Sequence, residues 1–158
     1  MPESQKESVW DYPRPPRVEP VTAHISVVHH GMTLVSTNGA VRVLETSHPP
    51  TYYLPIADFA EGVLVSVSGN SYCEFKGMAS YFDLVAPGDV IGGAAWTYEN
   101  PSKGFEVLAG KVALYASRVD ECRVGDEVVI PQEGDFYGGW ITSNITGPFK
   151  GAPGTMGW

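Results

Sequence analysis

Glycine and proline interrupt this sequence along its whole length and leave little room for a long helix. The chain has 158 residues, of which 18 are glycine and 13 are proline. Glycine opens positive φ angles and proline removes a backbone donor, so both favour turns over helix interiors. Short runs rich in Val, Thr and aromatic residues lie between these turns, which is the pattern of β-strands. We therefore predict a compact, mainly β domain with at most one or two short helices.

The boundaries of these runs give specific expectations. We expect strands at 23–30, 32–36, 40–46, 63–68, 92–98, 111–117 and 127–130, and a hairpin over 71–84. The hairpin is expected to turn at Lys76-Gly77, and a turn at Gly69-Asn70 is expected to precede it. We also expect one helical turn within 56–62 and a short helix over 99–110. In that helix Pro101 suits the first position and Gly110 suits the end.

The sequence divides into three segments. Residues 1–20 contain five prolines, so we predict an extended N-terminal arm there. Residues 21–133 are predicted to form the core domain. Residues 134–158 combine many glycines with five large aromatic residues, and exposed aromatic residues in water are unfavourable. We predict that this tail is ordered and packs on the core or on a partner subunit.

Charge and cysteine usage exclude several classes of function. The net charge is −8 and the isoelectric point is near 4.8. Nucleic-acid binders usually carry a basic stripe, so we predict no nucleic-acid partner. No run is long and apolar enough for a membrane span or a signal peptide, so we predict a cytoplasmic protein with reduced thiols and no membrane partner. Cys73 and Cys122 do not form a CxxC pair, which argues against a zinc site built on thiolates.

Familiar catalytic and cofactor motifs are missing from the sequence. It contains no G-x-S-x-G, no G-x-G-x-x-G and no P-loop, so nucleophilic hydrolysis and nucleotide cradles lack support. His29-His30 could suggest a metal site, with His24 or His48 as a third ligand. Neighbouring residues of a strand point to opposite faces, so this pair could share one ion only at a bulge. We predict no metal and no cofactor.

The best candidate site consists of polar-tipped residues on strands or just beyond them. A Glu–Lys pair beside aromatic residues is typical of a small-molecule site with acid–base or electrostatic roles. The alternative interpretation is a structural Glu45–Lys76 ion pair beside aromatic residues that belong to the core. The candidate residues are Glu45, His48, Tyr53, Lys76, Tyr81, Trp96 and Tyr98.

Five long segments resemble one known family. They are VWDYPRPP (9–16), VLETSHPPTYYLP (43–55), YCEFKGMASYFDL (72–84), AAWTYENPSKGFEVLAGKVALYAS (94–117) and FYGGWITSNITGPFKGAPGTMGW (136–158). The chain is similar over most of its length to domain-of-unknown-function family 427, sometimes labelled nucleotidyltransferase-like. The resemblance implies a single β-tent domain, in which two antiparallel sheets meet at an angle over a pocket, and it implies no established activity.

The resemblance also implies which residues line the pocket. The family's polar pocket positions fall on Glu45, Tyr53, Lys76, Tyr81, Trp96 and Tyr98. Other β-tent proteins often hold zinc with four cysteines, whereas this chain has two, so the resemblance adds no metal. The nucleotidyltransferase label finds no chemical support, because the sequence has neither an Asp-x-Asp pair nor a Gly-Ser turn for metal-assisted phosphoryl chemistry.

These observations predict a domain that binds a small molecule of unknown identity and performs at most modest acid–base catalysis. In this hypothesis Glu45 is the base or ligand acceptor and Lys76 its electrostatic partner. Tyr53 and Tyr81 donate hydrogen bonds through their hydroxyl groups, and Trp96 and Tyr98 form the apolar wall. The alternative is a non-enzymatic assembly module that uses the aromatic, glycine-rich tail, with a second copy of the chain as a candidate partner.

Overall fold

The structure, a computed structural model, describes residues 7–14, 16–73, 77–132, 138–147 and 149–150. Short strands dominate these residues and confirm the mainly β prediction. The first strands are β1 (Glu7–Ser8), β2 (Arg17–Pro20), β3 (Ile25–His29), β4 (Met32–Thr37), β5 (Val41–Leu44) and β6 (Thr51–Pro55). The middle strands are β7 (Leu64–Cys73), β8 (Gly77–Ala86), β9 (Asp89–Thr97) and β10 (Lys111–Leu114). The last strands are β11 (Glu121–Val124), β12 (Glu127–Val128), β13 (Ile130–Pro131), β14 (Trp140–Ile141) and β15 (Ile145–Thr146).

Helical structure in the described residues is limited to single 3₁₀ turns. They span Val9–Asp11, Ile56–Asp58, Glu106–Leu108 and Ala116–Arg118. The turn at Ile56–Asp58 falls where one helical turn is predicted. Within the described ranges, no helix has the length and apolar character needed to cross a membrane.

Two antiparallel sheets make up most of the fold. The larger one has seven strands in the order β2-β5-β6-β10-β9-β8-β7, and the smaller one has four in the order β12-β11-β3-β4. Two-stranded pairs, β13 with β14 and β1 with β15, complete the described strands. The β1–β15 pair is parallel and joins Glu7 to Ile145, so the two ends of the described chain meet.

The main hydrophobic core joins the two large sheets. It contains Ile25 and Leu34 from the four-stranded sheet together with Leu54 and Val112 from the seven-stranded sheet. Trp140 belongs to the same core, because its fully buried ring stacks on Tyr52 at a centroid distance of 5.0 Å. This part of the predicted tail therefore packs inside the chain.

A second hydrophobic cluster lies on the other face of the seven-stranded sheet. Successive side chains of a strand point to opposite faces, and β6 shows this alternation clearly. Tyr52 belongs to the main core, whereas Tyr53 packs with Val41, Trp96 and Ala113 in the second cluster. The predicted aromatic site residues are found in this second cluster.

Several local predictions are wrong. The helix expected over 99–110 is only the 3₁₀ turn Glu106–Leu108, because Gly104 has φ +94° and interrupts a right-handed helix before it. The turn expected at Gly69-Asn70 is part of β7, where a shift in register between Ser66 and Asn70 absorbs the irregularity. The strand expected over 40–46 ends at Leu44, which leaves Glu45 in a turn.

Candidate functional site

A row of residues crosses five strands on the outer face of the seven-stranded sheet. Val41 of β5 pairs with Tyr53 of β6, and Ala113 of β10 pairs with Trp96 of β9. Trp96 pairs in turn with Tyr81 of β8. The Val112–Leu54 pair sets Ala113 opposite Tyr53, because one residue forward on β10 corresponds to one residue back on the antiparallel β6.

The small side chain in this row lets two aromatic residues meet across a strand. Strands are about 4.8 Å apart, so residues on β6 and β9 are separated by roughly twice that distance. Alanine at position 113 leaves the space above β10 open, and the indole N–H of Trp96 donates to the Tyr53 hydroxyl at 3.3 Å. This hydrogen bond fixes both rings at the centre of the row.

Two more tyrosines complete what we call the aromatic face. Tyr98 lies 6.2 Å from Tyr53 between ring centroids, and Tyr115 lies 4.7 Å from Trp96. Both pairs are tilted rather than parallel, at 44° and 46°, as aromatic contacts favour. The aromatic face comprises Tyr53, Tyr81, Trp96, Tyr98 and Tyr115.

Burial differs across the aromatic face. Tyr53 is 1% exposed and Trp96 is 9% exposed, whereas Tyr81 and Tyr115 are half-buried at its edge. Burial, helped by the nearby Tyr81, raises the pKa of Tyr115 above its ordinary value. Its phenol is therefore protonated at neutral pH and can donate a hydrogen bond.

Chain segments outside the sheet cover part of this face. Phe105 and Leu108, around the 3₁₀ turn Glu106–Leu108, pack into the same cluster. On another side the backbone of Gly138 lies against Trp96, so closely that a Cβ at this glycine would be 2.3 Å from Cη2 of the indole. Only glycine fits this approach without moving the ring.

The two polar candidates in the β5–β6 connection contact residues outside the aromatic face. Glu45 follows the end of β5, and its Oε2 is 3.7 Å from Nε of Arg14. His48 places Nδ1 3.5 Å from Nε2 of Gln132. Lys76, the predicted partner of Glu45, lies outside the described residues, so the predicted Glu45–Lys76 pair is not part of the described geometry.

Ser47, between these two candidates, was not predicted from the sequence. It is completely buried, its backbone has φ +72°, and its hydroxyl has no hydrogen-bond partner among the described residues. Positive φ is uncommon for a residue other than glycine, and an unpaired buried hydroxyl is rare. Nothing in the segment Ser47-His48-Pro49-Pro50 signals either property, because both arise from contacts with distant segments.

Two glycines connect the turn that carries Glu45, Ser47 and His48 with the aromatic face. Gly139, next to Gly138, donates its N–H to Oε1 of Gln132 at 3.0 Å and approaches the Pro49 carbonyl. Gln132 is buried and also donates through Nε2 to the Lys150 carbonyl at 2.6 Å. We call Glu45, Ser47, His48 and Gln132 the polar turn.

A separate cluster of histidine and aspartate joins three turns. His29 is buried, its Nδ1 accepts from the Asp120 N–H at 3.0 Å, and its Nε2 is 2.8 Å from Asp89. His30 has φ +49°, so strand alternation does not apply to it, and its ring stacks on His29. Hydrogen bonding to His29 lowers the pKa of Asp89 below its ordinary value.

This cluster is poorly arranged to bind a single metal ion. His29, His30 and Asp120 have ligand atoms within 4.8 Å of one another. However, the two imidazole rings are only 12° from parallel with centroids 4.2 Å apart. Lone pairs of imidazole nitrogens lie in the ring plane, so rings stacked in this way cannot both point at one ion. The same contacts instead hold the three turns together.

A polar cleft of about 300 Å³ lies where the N-terminal segment meets the sheet. At its centre Arg42 is held by two carboxylates, Glu19 at 2.7 Å and Glu7 at 3.1 Å. Burial alone would raise the pKa of Glu7, but hydrogen bonds from Tyr12 and Arg42 outweigh it and lower that pKa. Because Arg42 is already paired with Glu7 and Glu19, the cleft is better explained as the attachment of the N-terminal segment. Its lining residues are Glu7, Ser8, Asp11, Tyr12, Arg17, Glu19, Arg42 and Leu44.

Comparison with known proteins identifies the family. A search of curated proteins finds no match. The sequence model of the family described as "Domain of unknown function (DUF427)" matches residues 17–125. This span holds the aromatic face and, of the polar turn, Glu45, Ser47 and His48, and it covers well over half of the chain. The chain therefore belongs to the family of domains of unknown function DUF427.

Proposed function

We propose that the aromatic face and the polar turn together bind a small molecule with a flat apolar part and a hydrogen-bonding oxygen. The observation that carries the proposal is the packing of four tyrosines and one tryptophan into one cluster, on neighbouring strands or one residue beyond their ends. Small-molecule sites combine apolar walls with a few convergent polar groups. A purely structural cluster could use aliphatic side chains, which have no polar atoms to satisfy.

The half-buried members of the face support this proposal. Tyr81 and Tyr115 lie at its edge, where their rings can contact a ligand that rests on Trp96. Tyrosine and tryptophan provide large contact areas together with a polar group at one end. In this arrangement Trp96 and Tyr98 form the wall, as the sequence predicts, and the hydroxyl groups orient the ligand.

Acid–base chemistry remains a prediction of the sequence. In that hypothesis Glu45 acts as base or acceptor, and Lys76 is its electrostatic partner. Arg14 lies beside Glu45 and supplies a positive charge at this carboxylate. His48, which contacts Gln132, would bind the ligand on the same side.

Other expectations from the sequence belong to the same proposal. We propose that the two large sheets are the halves of the β-tent, which is supported by the core that they share. We propose a cytoplasmic location, supported by the free thiol of Cys122. The alternative assembly function draws less support, because Trp140 of the tail is buried against Tyr52 within the chain.

Thermal denaturation with four related fragments tests the binding proposal. Benzyl alcohol, benzamide and benzoate carry an oxygen-bearing substituent on an aromatic ring, whereas toluene carries a methyl group. A compound that binds only the folded state raises the midpoint temperature in a saturable way. We expect at least one oxygen-bearing fragment to raise the midpoint of the wild type more than toluene does.

Two adjacent tyrosines offer a matched pair of variants. Tyr53→Phe removes a hydroxyl of the aromatic face, whereas Tyr52→Phe removes one on the opposite face of the same strand. Each variant is compared with its own midpoint without fragment. We expect Tyr53→Phe to lose most of the response and Tyr52→Phe to keep it. Equal responses of all three proteins would contradict the proposed site.

A further inference from the structure

Asn38 and Gly39 lie in the short connection between the two large sheets. β4 of the four-stranded sheet ends at Thr37, and β5 of the seven-stranded sheet begins at Val41. Asn38 and Gly39 are both exposed. An asparagine before glycine is prone to lose its side-chain amide, because no side chain of the glycine hinders attack by the next backbone nitrogen. Asn38-Gly39 is the one such pair in the sequence.

The backbone does not require a glycine at position 39. Asn-Gly turns of hairpins commonly place both residues at positive φ, but neither Asn38 nor Gly39 has this conformation. A Cβ at Gly39 would meet Cγ of Pro55 at 3.4 Å and Oγ1 of Thr37 at 3.6 Å, which are ordinary contact distances. Alanine would therefore fit, so the turn conformation does not impose the reactive Asn-Gly pair.

The reaction of such a pair is an intramolecular cyclisation. The Gly39 nitrogen loses its proton to water or hydroxide and bonds to Cγ of Asn38, while the bond from Cγ to the side-chain nitrogen breaks and ammonia leaves. Water then opens the cyclic imide at either of its two carbonyl carbons and leaves aspartate or isoaspartate at position 38. The nitrogen is planar before and after this step, so Cγ takes the place of the hydrogen. The reactive geometry therefore needs the Gly39 N–H to point at Cγ of Asn38.

A hydrogen bond to Thr37 holds the attacking nitrogen away from that geometry. The Gly39 N–H donates to Oγ1 of Thr37 at 2.9 Å, a contact typical of hydroxyl side chains at turns. Thr37 is buried, and its hydroxyl donates to Asp58 at 2.6 Å, which fixes the position of Oγ1. The hydrogen of the attacking nitrogen thus points at Thr37.

His24 restrains the other reacting group. Its Nδ1 lies 2.8 Å from Oδ1 of Asn38, and its Nε2 lies 2.8 Å from Oγ of Ser36. An amide oxygen only accepts, so Nδ1 carries the proton and Nε2 accepts from the Ser36 hydroxyl. The His24 carbonyl also accepts from the Gly125 N–H at 2.8 Å, which fixes the backbone that carries the ring. The side chain of Asn38 is therefore tied to the residue that precedes β3.

We propose that Asn38 is a deamidation site that these two hydrogen bonds hold in check and that reacts when the turn opens. Exposed turns open locally without unfolding of the core. The reaction adds one negative charge to a chain of net charge −8. Isoaspartate also adds one carbon to the main chain between the two sheets, next to the pairing of Thr37 with Ile25, and weakens that pairing.

Peptide mass mapping of protein incubated at mildly alkaline pH provides the first test. We expect the wild type unfolded in urea to deamidate at Asn38 faster than the folded wild type, and faster than at its three other asparagines, none of which precedes glycine. Gly39→Ala should slow the reaction in urea, because a side chain then hinders the attacking nitrogen. Equal rates with and without urea, or no reaction at Asn38 in urea, would overturn the proposal.

Variants of the two restraining residues provide the second test. Thr37→Val removes the acceptor but keeps the shape of the side chain, and Thr37→Ser keeps the hydroxyl as a matched control. We expect folded Thr37→Val and His24→Ala to deamidate at Asn38 about 2- to 10-fold faster than the wild type, the factor that one net hydrogen bond provides. Thr37→Ser should stay near the wild-type rate, and all of these proteins should react equally in urea. A wild-type rate in either folded variant would overturn the role of its hydrogen bond.

A variant on the aromatic face separates opening of the turn from general loss of stability. Ala113→Leu fills the gap between Tyr53 and Trp96 and should leave the rate at Asn38 in the folded protein unchanged. If it accelerates the reaction as much as Thr37→Val does, the reaction follows unfolding of the whole domain and the proposal is wrong. His24 is exposed, so His24→Ala keeps the test valid if Thr37→Val does not fold.

Discussion

Trp96 and Tyr53 are joined by a 3.3 Å hydrogen bond that passes over the strand between them. Ala113 occupies that strand and pairs with Trp96. Both rings are nearly inaccessible, and the indole N–H would otherwise be a buried donor without a partner. The contact thus defines the geometry of the aromatic face and depends on one small residue.

Filling the gap at Ala113 should disturb this contact. Ala113→Leu places a branched side chain between Tyr53 and Trp96, and overpacking of a well-packed core costs about 1–3 kcal/mol. Urea denaturation should show this loss in the free energy of unfolding. The control Ala57→Leu lies at an exposed position and should change stability by less than about 0.5 kcal/mol. Equal effects of the two variants would mean that the gap has no role in packing.

The approach of Gly138 to Trp96 gives a second prediction. Gly138→Ala would place a methyl group 2.3 Å from the indole, so the ring or the backbone must move, at a cost of about 1–3 kcal/mol. Near-ultraviolet circular dichroism should change together with stability. Gly92→Ala is the control, because its methyl group would meet only Asp83 at 3.8 Å. The interpretation fails if both variants keep the wild-type spectrum and stability.

The sequence predicts the mainly β fold class, and the reason is physical. Alternation along one strand puts Trp96 and Tyr98 on the same side, whereas the pattern predicts no strand over 51–55, and only the sheet order brings Tyr53 to that face. The register that sets Ala113 between Tyr53 and Trp96 depends on strand pairing over long distances in sequence. Local pattern does not contain that information.

Turns and terminal segments account for what the sequence did not predict. Glu45 was assigned to a strand that ends one residue earlier, and its neighbour in the structure is Arg14. The conformation of Ser47 is imposed by Val9 and Lys150, far away in sequence. The short helix was expected from Pro101 and Gly110, whereas the positive φ of Gly104 decides against it.

Acid should weaken the contact between His29 and Asp89. The pKa of Asp89 is lowered in the folded protein, so the folded state favours the carboxylate more than the unfolded state does. Its stabilisation is present above the unfolded pKa of about 3.9 and is lost as the pH falls through the lower folded pKa. Asp89→Asn should therefore be less stable than the wild type at pH 7, and the difference should shrink below about pH 4. Asp126→Asn, which removes a charge at another exposed turn, is the control. If the stability difference between Asp89→Asn and the wild type stays constant with pH, the assignment is refuted.

The thiol of Cys122 should be unreactive in the folded protein. Burial, with a smaller effect of Glu121, raises its pKa to about 12, and the thiolate is the reactive form. Cys73→Ser leaves Cys122 as the single thiol, since the chain has two cysteines. At pH 8 a disulfide reagent should modify this variant only slowly, and in urea it should modify one thiol per chain at once. Rapid modification of the folded variant would contradict the buried position.

The indole N–H resonance of Trp96 tests the proposed binding site most directly. In a ¹⁵N-labelled protein this resonance is assigned by its absence in Trp96→Phe, and Trp10 and Trp140 provide references away from the site. Titration with benzamide, benzyl alcohol and benzoate should shift the Trp96 resonance in a saturable way and leave that of Trp140 unchanged. A Trp96 resonance that stays fixed while any of these fragments binds would contradict the account, and so would the absence of any saturable shift.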